Sequence, residues 1–267
     1  MTVRRTAWHA VLAGAAAVTL FPLVWAVVTS LRPANRIFEV GPSAVTADNY
    51  VYALTQFPIG RLLLNTFLTA AGVTLGQLVV AVLAAYALVR LRVRTGRWVV
   101  LAVTVSLLVP PQALIVPQFL LVAELGWRDT LAGLVVPQLA QCGLAVLLLR
   151  EHVRAVPENL LHAAALEGAR PGETLRYVVL PLLRPALGAV GILVFITTWN
   201  EYLWPALVAP SPENTTIQLG LALFGNQEGP NYGPLLAASV LACLPVLAAY
   251  LVASRRITDA FFRAGAR

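Results

Sequence analysis

Long apolar runs, separated by short arginine-bearing segments, organise the chain. A membrane-crossing helix needs about 20 mostly apolar residues, and six runs reach that length. Stretches 7–29, 62–89, 98–123, 130–149 and 231–254 contain no Arg, Lys, Asp or Glu, and 185–208 contains Glu201 alone. No run alternates with the period of two that a barrel strand requires. A backbone in lipid must satisfy its own hydrogen bonds, so each run is predicted to be a helix. Pro110, Pro111 and Pro117 in the third run and Pro137 in the fourth predict kinks there.

The polar, arginine-bearing stretch 157–187 reads as structure rather than as linker. Pro157 suits a first helical position, where its missing N–H is no loss. Glu158 favours the positive end of the helix dipole. Leu160, Leu161, Ala164 and Ala165 form an apolar stripe, and Gly168 supplies a stop. Pro171 and Gly172 predict a turn, followed by a second short helix, about 173–180, that ends before Pro181. Periodicity alone leaves two readings open: a knob that a soluble partner grips, or an amphipathic loop lying on the bilayer surface.

Composition agrees with a polytopic membrane protein. Of 267 residues, 59% are hydrophobic and 12% charged, with mean hydropathy +0.78. Soluble domains carry about 25% charged residues. The formal net charge of +7 comes from nineteen arginines and no lysine. They lie mostly in short loops, a placement that orients a membrane protein and excludes a nucleic-acid-binding face. With the N-terminus inside, the inner segments hold Arg4 and Arg5, Arg90 to Arg97, Arg150 to Arg184 and Arg255 to Arg267. Only Arg32, Arg36, Arg61 and Arg128 then lie outside. Both termini and the 157–187 stretch are therefore expected in the cytoplasm. The first run exceeds an ordinary signal-peptide core, and an uncleaved helix is expected.

Within this frame, His162-Ala163-Ala164-Ala165-Leu166-Glu167-Gly168, with Leu180-Pro181 downstream, resembles the signature loop of binding-protein-dependent ABC importer permeases. Asp48-Asn49-Tyr50, Asn65-Thr66, Ala84-Ala85-Tyr86-Ala87 and Trp199-Asn200-Glu201-Tyr202-Leu203-Trp204-Pro205 resemble the carbohydrate-uptake, maltose-type branch of that family. The resemblance implies an all-α, six-helix type I importer permease in a bacterial cytoplasmic membrane. It implies residues 1–60 as an N-terminal helix and external segment, 61–254 as the permease domain and 255–267 as a cytoplasmic tail. Within the permease domain, 151–184 is the coupling loop, with His162, Ala163, Ala164, Glu167, Gly168, Leu180 and Pro181 as its signature residues. The implied partners are ABC ATPase subunits, a second homologous permease, an extracytoplasmic solute-binding protein, membrane lipid and a sugar-like substrate; neither cofactor nor metal is implied. Two features depart from the pattern. His162 stands where relatives carry Glu, and the chain closes on Phe261-Phe262-Arg263-Ala264-Gly265-Ala266-Arg267 rather than a glycine-rich tail.

Asn200 and Glu201 are candidates for the translocation path, since polar residues at membrane depth are functional by default. The competing reading makes Glu201 an outer-interface residue within an aromatic belt of Trp199, Tyr202 and Trp204, and its place near the end of its run favours that. Gln77, Gln112, Gln118, Gln138 and Gln141 either line a polar path or bond neighbouring helices; the second is the commoner use. Cys142 and Cys243 lie in apolar runs without metal or disulfide spacing. No catalytic or phosphate-cradling motif is present, and a Walker-type lysine is impossible here. An ion-coupled secondary transporter is the remaining alternative. Such carriers usually rely on intramembrane acidic residues, and this chain offers Glu201 alone.

Overall fold

A computed structural model of the chain describes residues 2–33, 36–39, 41, 44–91, 93–227 and 231–265. Arg92, Ala266 and Arg267 lie outside the described residues. All regular structure among those described is helical. The elements are α1 (Thr2–Ser30), α2 (Asp48–Gln56), α3 (Ile59–Arg90), α4 (Gly96–Ser106), α5 (Ile115–Glu124), α6 (Leu131–Val135) and α7 (Gly143–Arg154). They continue with α8 (Glu158–Leu166), α9 (Pro171–Glu173), α10 (Leu180–Trp199), α11 (Leu203–Val208), α12 (Ile217–Gln227) and α13 (Tyr232–Gly265).

Four helices are long and apolar enough to cross a membrane alone: Ala7–Ser30, Ile59–Arg90, Pro171–Trp199 and Tyr232–Leu251. Two bent pairs bring the number to six. Gly96–Ser106 and Pro111–Glu124 meet at 96°, and Leu131–Gln141 and Gly143–Arg154 at 51°. The first bend falls at Pro110-Pro111, where two successive residues lack an N–H. The second follows the 3₁₀ turn that Pro137 opens. Pro117 breaks nothing, because it sits in the first turn of α5, where the N–H it lacks would have no intrahelical carbonyl to meet.

The fifth span differs from its sequence expectation. No helix ends before Pro181, and Pro171-Gly172 is no free turn. Instead α9 passes through a π-helical turn at Thr174–Val179 directly into α10. Proline clashes with the carbonyl four residues back. A wider i→i+5 turn just upstream lets Pro181 enter without ending the helix. The span also stops at Trp199 rather than 208, leaving Asn200 and Glu201 at a chain break.

The chain forms two compact units. The first comprises Met1–Leu63 and Gly220–Pro245. Here the buried Asn49 amide donates to the carbonyls of Ser30 (2.8 Å) and Arg32 (2.7 Å), and the Tyr50 hydroxyl bonds that of Ser30. The Asp48-Asn49-Tyr50 motif thus closes the end of α1. Phe57 packs on Phe224 with ring centroids 4.8 Å apart. Trp8, Leu12, Phe21 and Trp25 of α1 remain exposed.

The second unit comprises Leu64–Leu219 and Val246–Arg267. Its main core joins Ala81, Ala85 and Tyr86 of α3 to Ala145, Leu149 and Val153 of α7 and to Val179, Leu183, Ala186 and Val190 around α10. Small residues let these backbones approach, the usual device where lipid supplies no hydrophobic drive. Gly72 and Gly76, one turn apart on α3, lie against Val135 and Leu139. Asn65 donates to the carbonyls of Glu213 and Thr215, both at 3.0 Å, and Thr66 accepts from the N–H of Ile217. The Asn65-Thr66 motif is therefore a clamp on the 213–217 segment.

Candidate functional site

The 157–187 stretch folds into a rigid element. Pro157 caps α8 from outside, one position earlier than its sequence expectation, and Glu158 opens the helix. At the other end Gly168 adopts φ +76°. Its N–H donates to the carbonyl of Ala165 at 3.0 Å, while that of Ala169 donates to Ala164 at 3.0 Å. This pair of bonds is a Schellman ending, which requires a left-handed residue at that point. Glycine meets the requirement without strain.

Burial sorts the faces of α8. Leu161 packs against the main core, and Ala164 is buried. Leu160 and Ala165, expected on the same stripe, face outward along with His162, Ala163 and Glu167. Leu166 is 90% exposed. Leu180 is half-buried and Pro181 exposed, but both belong to the long fifth span.

Tyr86, read from the sequence only as part of its motif, and Arg90, read only for its charge, hold this element in place. The Tyr86 hydroxyl donates to the carbonyl of Pro171 at 2.9 Å. Arg90, one turn further along α3, donates to the carbonyls of Val153 (2.8 Å) and Val156 (3.0 Å) and stands 3.9 Å from the Glu158 carboxylate. Tyr and Arg four residues apart at the end of a long apolar helix was the available signal.

A second constellation lies in the same unit. One cavity of about 200 Å³ is bordered by Gln77, Gln138, Gln141, Thr197, Thr198 and Glu201, among others. A neighbouring one of about 120 Å³ is bordered by Gln112, Gln118, Gln138, Gln141, Glu201 and Trp204, among others. Glu201, Gln138 and Gln141 belong to both walls. The structure thus collects all five candidate glutamines, from three spans, around one carboxylate. It does not bring Asn200 to either wall. The Asn200 amide instead donates to Ile196 (2.8 Å) and accepts from Gln218 (3.2 Å).

The aromatic belt does not form as expected. Trp199 is 1% and Trp204 5% exposed, and Trp204 donates its indole N–H to the carbonyl of Gly133; only Tyr202 faces outward. Glu201 is half-buried beside them, and its Oε1 accepts from the N–H groups of Leu203 (3.1 Å) and Trp204 (3.3 Å). The glutamines divide between their two expected uses. Gln77 donates to the carbonyl of Gln138 at 2.7 Å, and Gln138 to that of Leu134 at 2.8 Å. No side-chain hydrogen bond among the described residues ties Gln112, Gln118 or Gln141.

A multi-pass helical chain with an exposed helix between two spans, and with cavities bordered by polar side chains in its second unit, has the form of a transport permease. Residues 77–261 match the family of binding-protein-dependent transport system inner membrane components. The chain belongs to that family. It is 35% identical over 219 residues to ORF1 of Streptomyces antibioticus, assigned as an ABC transporter permease, covering 82% of this chain and 96% of that one. It is 28% identical to the lactose transport system permease protein LacG of Rhizobium radiobacter, over 94% of this chain and 92% of the relative. It is 30% identical to the sn-glycerol-3-phosphate transport system permease protein UgpE of Salmonella choleraesuis, over 92% of each. A bacterial ABC transporter involved in the import of the acidic polysaccharide alginate shares the fold. Its chain superposes with a TM-score of 0.81 over 95% of this chain and 96% of its own, at 23% identity.

Proposed function

We propose that this chain is a membrane-spanning subunit of an ATP-driven importer for a sugar or related polyol. An ATPase subunit docks on α8 from the cytoplasm, a second permease completes the path, and an external binding protein delivers the solute. His162, Ala163, Glu167 and Gly168 belong to the docking face, Ala164, Leu180 and Pro181 support it from the spans, and Glu201 borders the path with Asn200 behind it. Transport proceeds by alternating access, with ATP hydrolysed by the partner.

The observation that carries this reading is the outward face of α8. It is fixed at its start by Arg90 and at its end by the Gly168 turn, yet it leaves Leu166 bare. A large apolar side chain held rigidly in the open favours a protein partner over a loop that merely floats on lipid. The arginine bias supports a cytoplasmic position for this face, and the lactose and sn-glycerol 3-phosphate named for two relatives support the solute class.

The test is uptake by proteoliposomes holding this chain with its partner permease and ATPase. Import that needs internal ATP and the binding protein, and survives dissipation of ion gradients, is the expected result. Gradient-driven uptake by this chain without ATP would instead establish the ion-coupled carrier.

A further inference from the structure

We propose that Glu201, with the unbonded amides of Gln112, Gln118 and Gln141, forms a solute-contact site on this subunit that admits a neutral, hydroxyl-rich solute and turns away an anionic one. This inference rests on the reading of the chain as an importer permease.

Among the described residues Glu201 is the only acidic one on either cavity wall, and no Arg or His shares those walls. It enters none of the ion pairs among the described residues. Its orientation is set by the chain itself. The N–H groups of Leu203 and Trp204 hold Oε1 at 3.1 and 3.3 Å, while Oε2 has no protein partner among the described residues. A fixed carboxylate without a counter-charge, in a wall otherwise of amide, hydroxyl and apolar groups, makes the cavities electronegative. At an effective dielectric near 20, a like charge about 4 Å away is disfavoured on the order of a thousandfold.

Hydroxyl groups meet the opposite response. A carboxylate accepts only, whereas a glutamine amide both donates and accepts. A polyol hydroxyl also does both, so the set can replace the water that such a solute sheds. The glutamines differ here in a telling way. Gln77 and Gln138 spend their N–H groups on protein carbonyls, whereas Gln112, Gln118 and Gln141 keep theirs for whatever enters. Leu203 and Trp204 line the smaller cavity and offer the apolar area against which a ring can rest. The cavities, about 200 and 120 Å³, suit a small solute unit or several waters at ~30 Å³ each.

The assembled transporter, in ATP-loaded proteoliposomes with its binding protein, should be offered lactose, an arabino-oligosaccharide, glycerol, sn-glycerol 3-phosphate and a galacturonate oligomer. We expect ATP-dependent import of a neutral probe and none of either anion. Import of an anionic probe overturns the proposal and leaves the permease reading intact. Import of no probe at all removes the proposed sugar or polyol solute class and the proposal with it. In Glu201→Gln the amide oxygen can still accept from Leu203 and Trp204, so the substitution isolates the charge. Uptake of the neutral probe should fall about tenfold. Gln141→Leu changes a residue with no protein bond to lose, so it keeps the test decisive if Glu201→Gln does not assemble; it too should lower uptake. Unchanged neutral uptake in both variants, at equal membrane levels of the complex, overturns the proposal.

Discussion

Arg90 reaches from the last turn of α3 to the carbonyl of Val156, 3.0 Å from its Nη2, and so joins the second span to the doorstep of α8. The same nitrogen also bonds Val153, and the side chain is only 16% exposed. One guanidinium therefore satisfies two carbonyls at the point where α7 ends and the docking helix begins. The two N–H groups of Nη2 serve one carbonyl each, which leaves Nη1 to face Glu158 at 3.9 Å.

Loss of that guanidinium should loosen the docking element without unfolding the spans. Hydrogen bonds to charged groups contribute about 1.5–3 kcal/mol, so Arg90→Met should destabilise 153–170 locally by about 3 kcal/mol. Faster amide exchange across α8, with α3 and α10 unchanged, is the expected measurement. Uniform exchange rates in variant and wild type would remove Arg90 as the anchor.

Gly168 offers a backbone test. An added Cβ there would meet nothing within 4 Å, so only the left-handed φ opposes a side chain. A β-branched residue at that φ costs about 2 kcal/mol. Gly168→Val should reach the membrane yet lose uptake relative to ATP hydrolysis, while Gly168→Asn should be much milder, since Asn tolerates this conformation. Normal coupling in a well-expressed Gly168→Val complex would contradict a docking role for the turn. His162→Glu changes an exposed side chain and should be tolerated.

Two glycines should respond differently to the same added methyl. A Cβ on Gly133 would collide with the backbone carbonyl of Trp127, which cannot rotate away, and crowd a methyl group of Val208. At Gly76 the obstacle is the tip of the Leu139 side chain. Gly133→Ala should therefore lose about 1–3 kcal/mol through overpacking, and Gly76→Ala less. Melting temperatures of the solubilised complex check the order; an equal or reversed pair would contradict it.

Orientation follows from chemical access. In a background lacking Cys142 and Cys243, a cysteine at Ser211 should react with an impermeant thiol reagent in intact cells, and one at Thr95 should not. Labelling at 95 alone would invert the topology and with it the docking proposal.

The chain's class was legible in its sequence. Six apolar runs of spanning length, arginines in the loops and a glycine at the end of a slim helix are local signals, and lipid allows them only helical solutions. The bends at Pro110-Pro111 and after Pro137 were legible for the same reason, because a missing N–H is a local fact. The run of α9 into α10 was not. Whether a proline ends a helix or is absorbed by a π turn depends on packing, here of Leu175 and Val179 against the main core. Glu201 shows the limit most directly. Its position along the chain suggested the outer interface, while the break after Trp199 turns it to the cavity walls and buries both tryptophans beside it. Which face of a span meets another span is decided between helices far apart in sequence. The meeting of Gln112, Gln138 and Glu201 around two cavities therefore belongs to the tertiary structure alone.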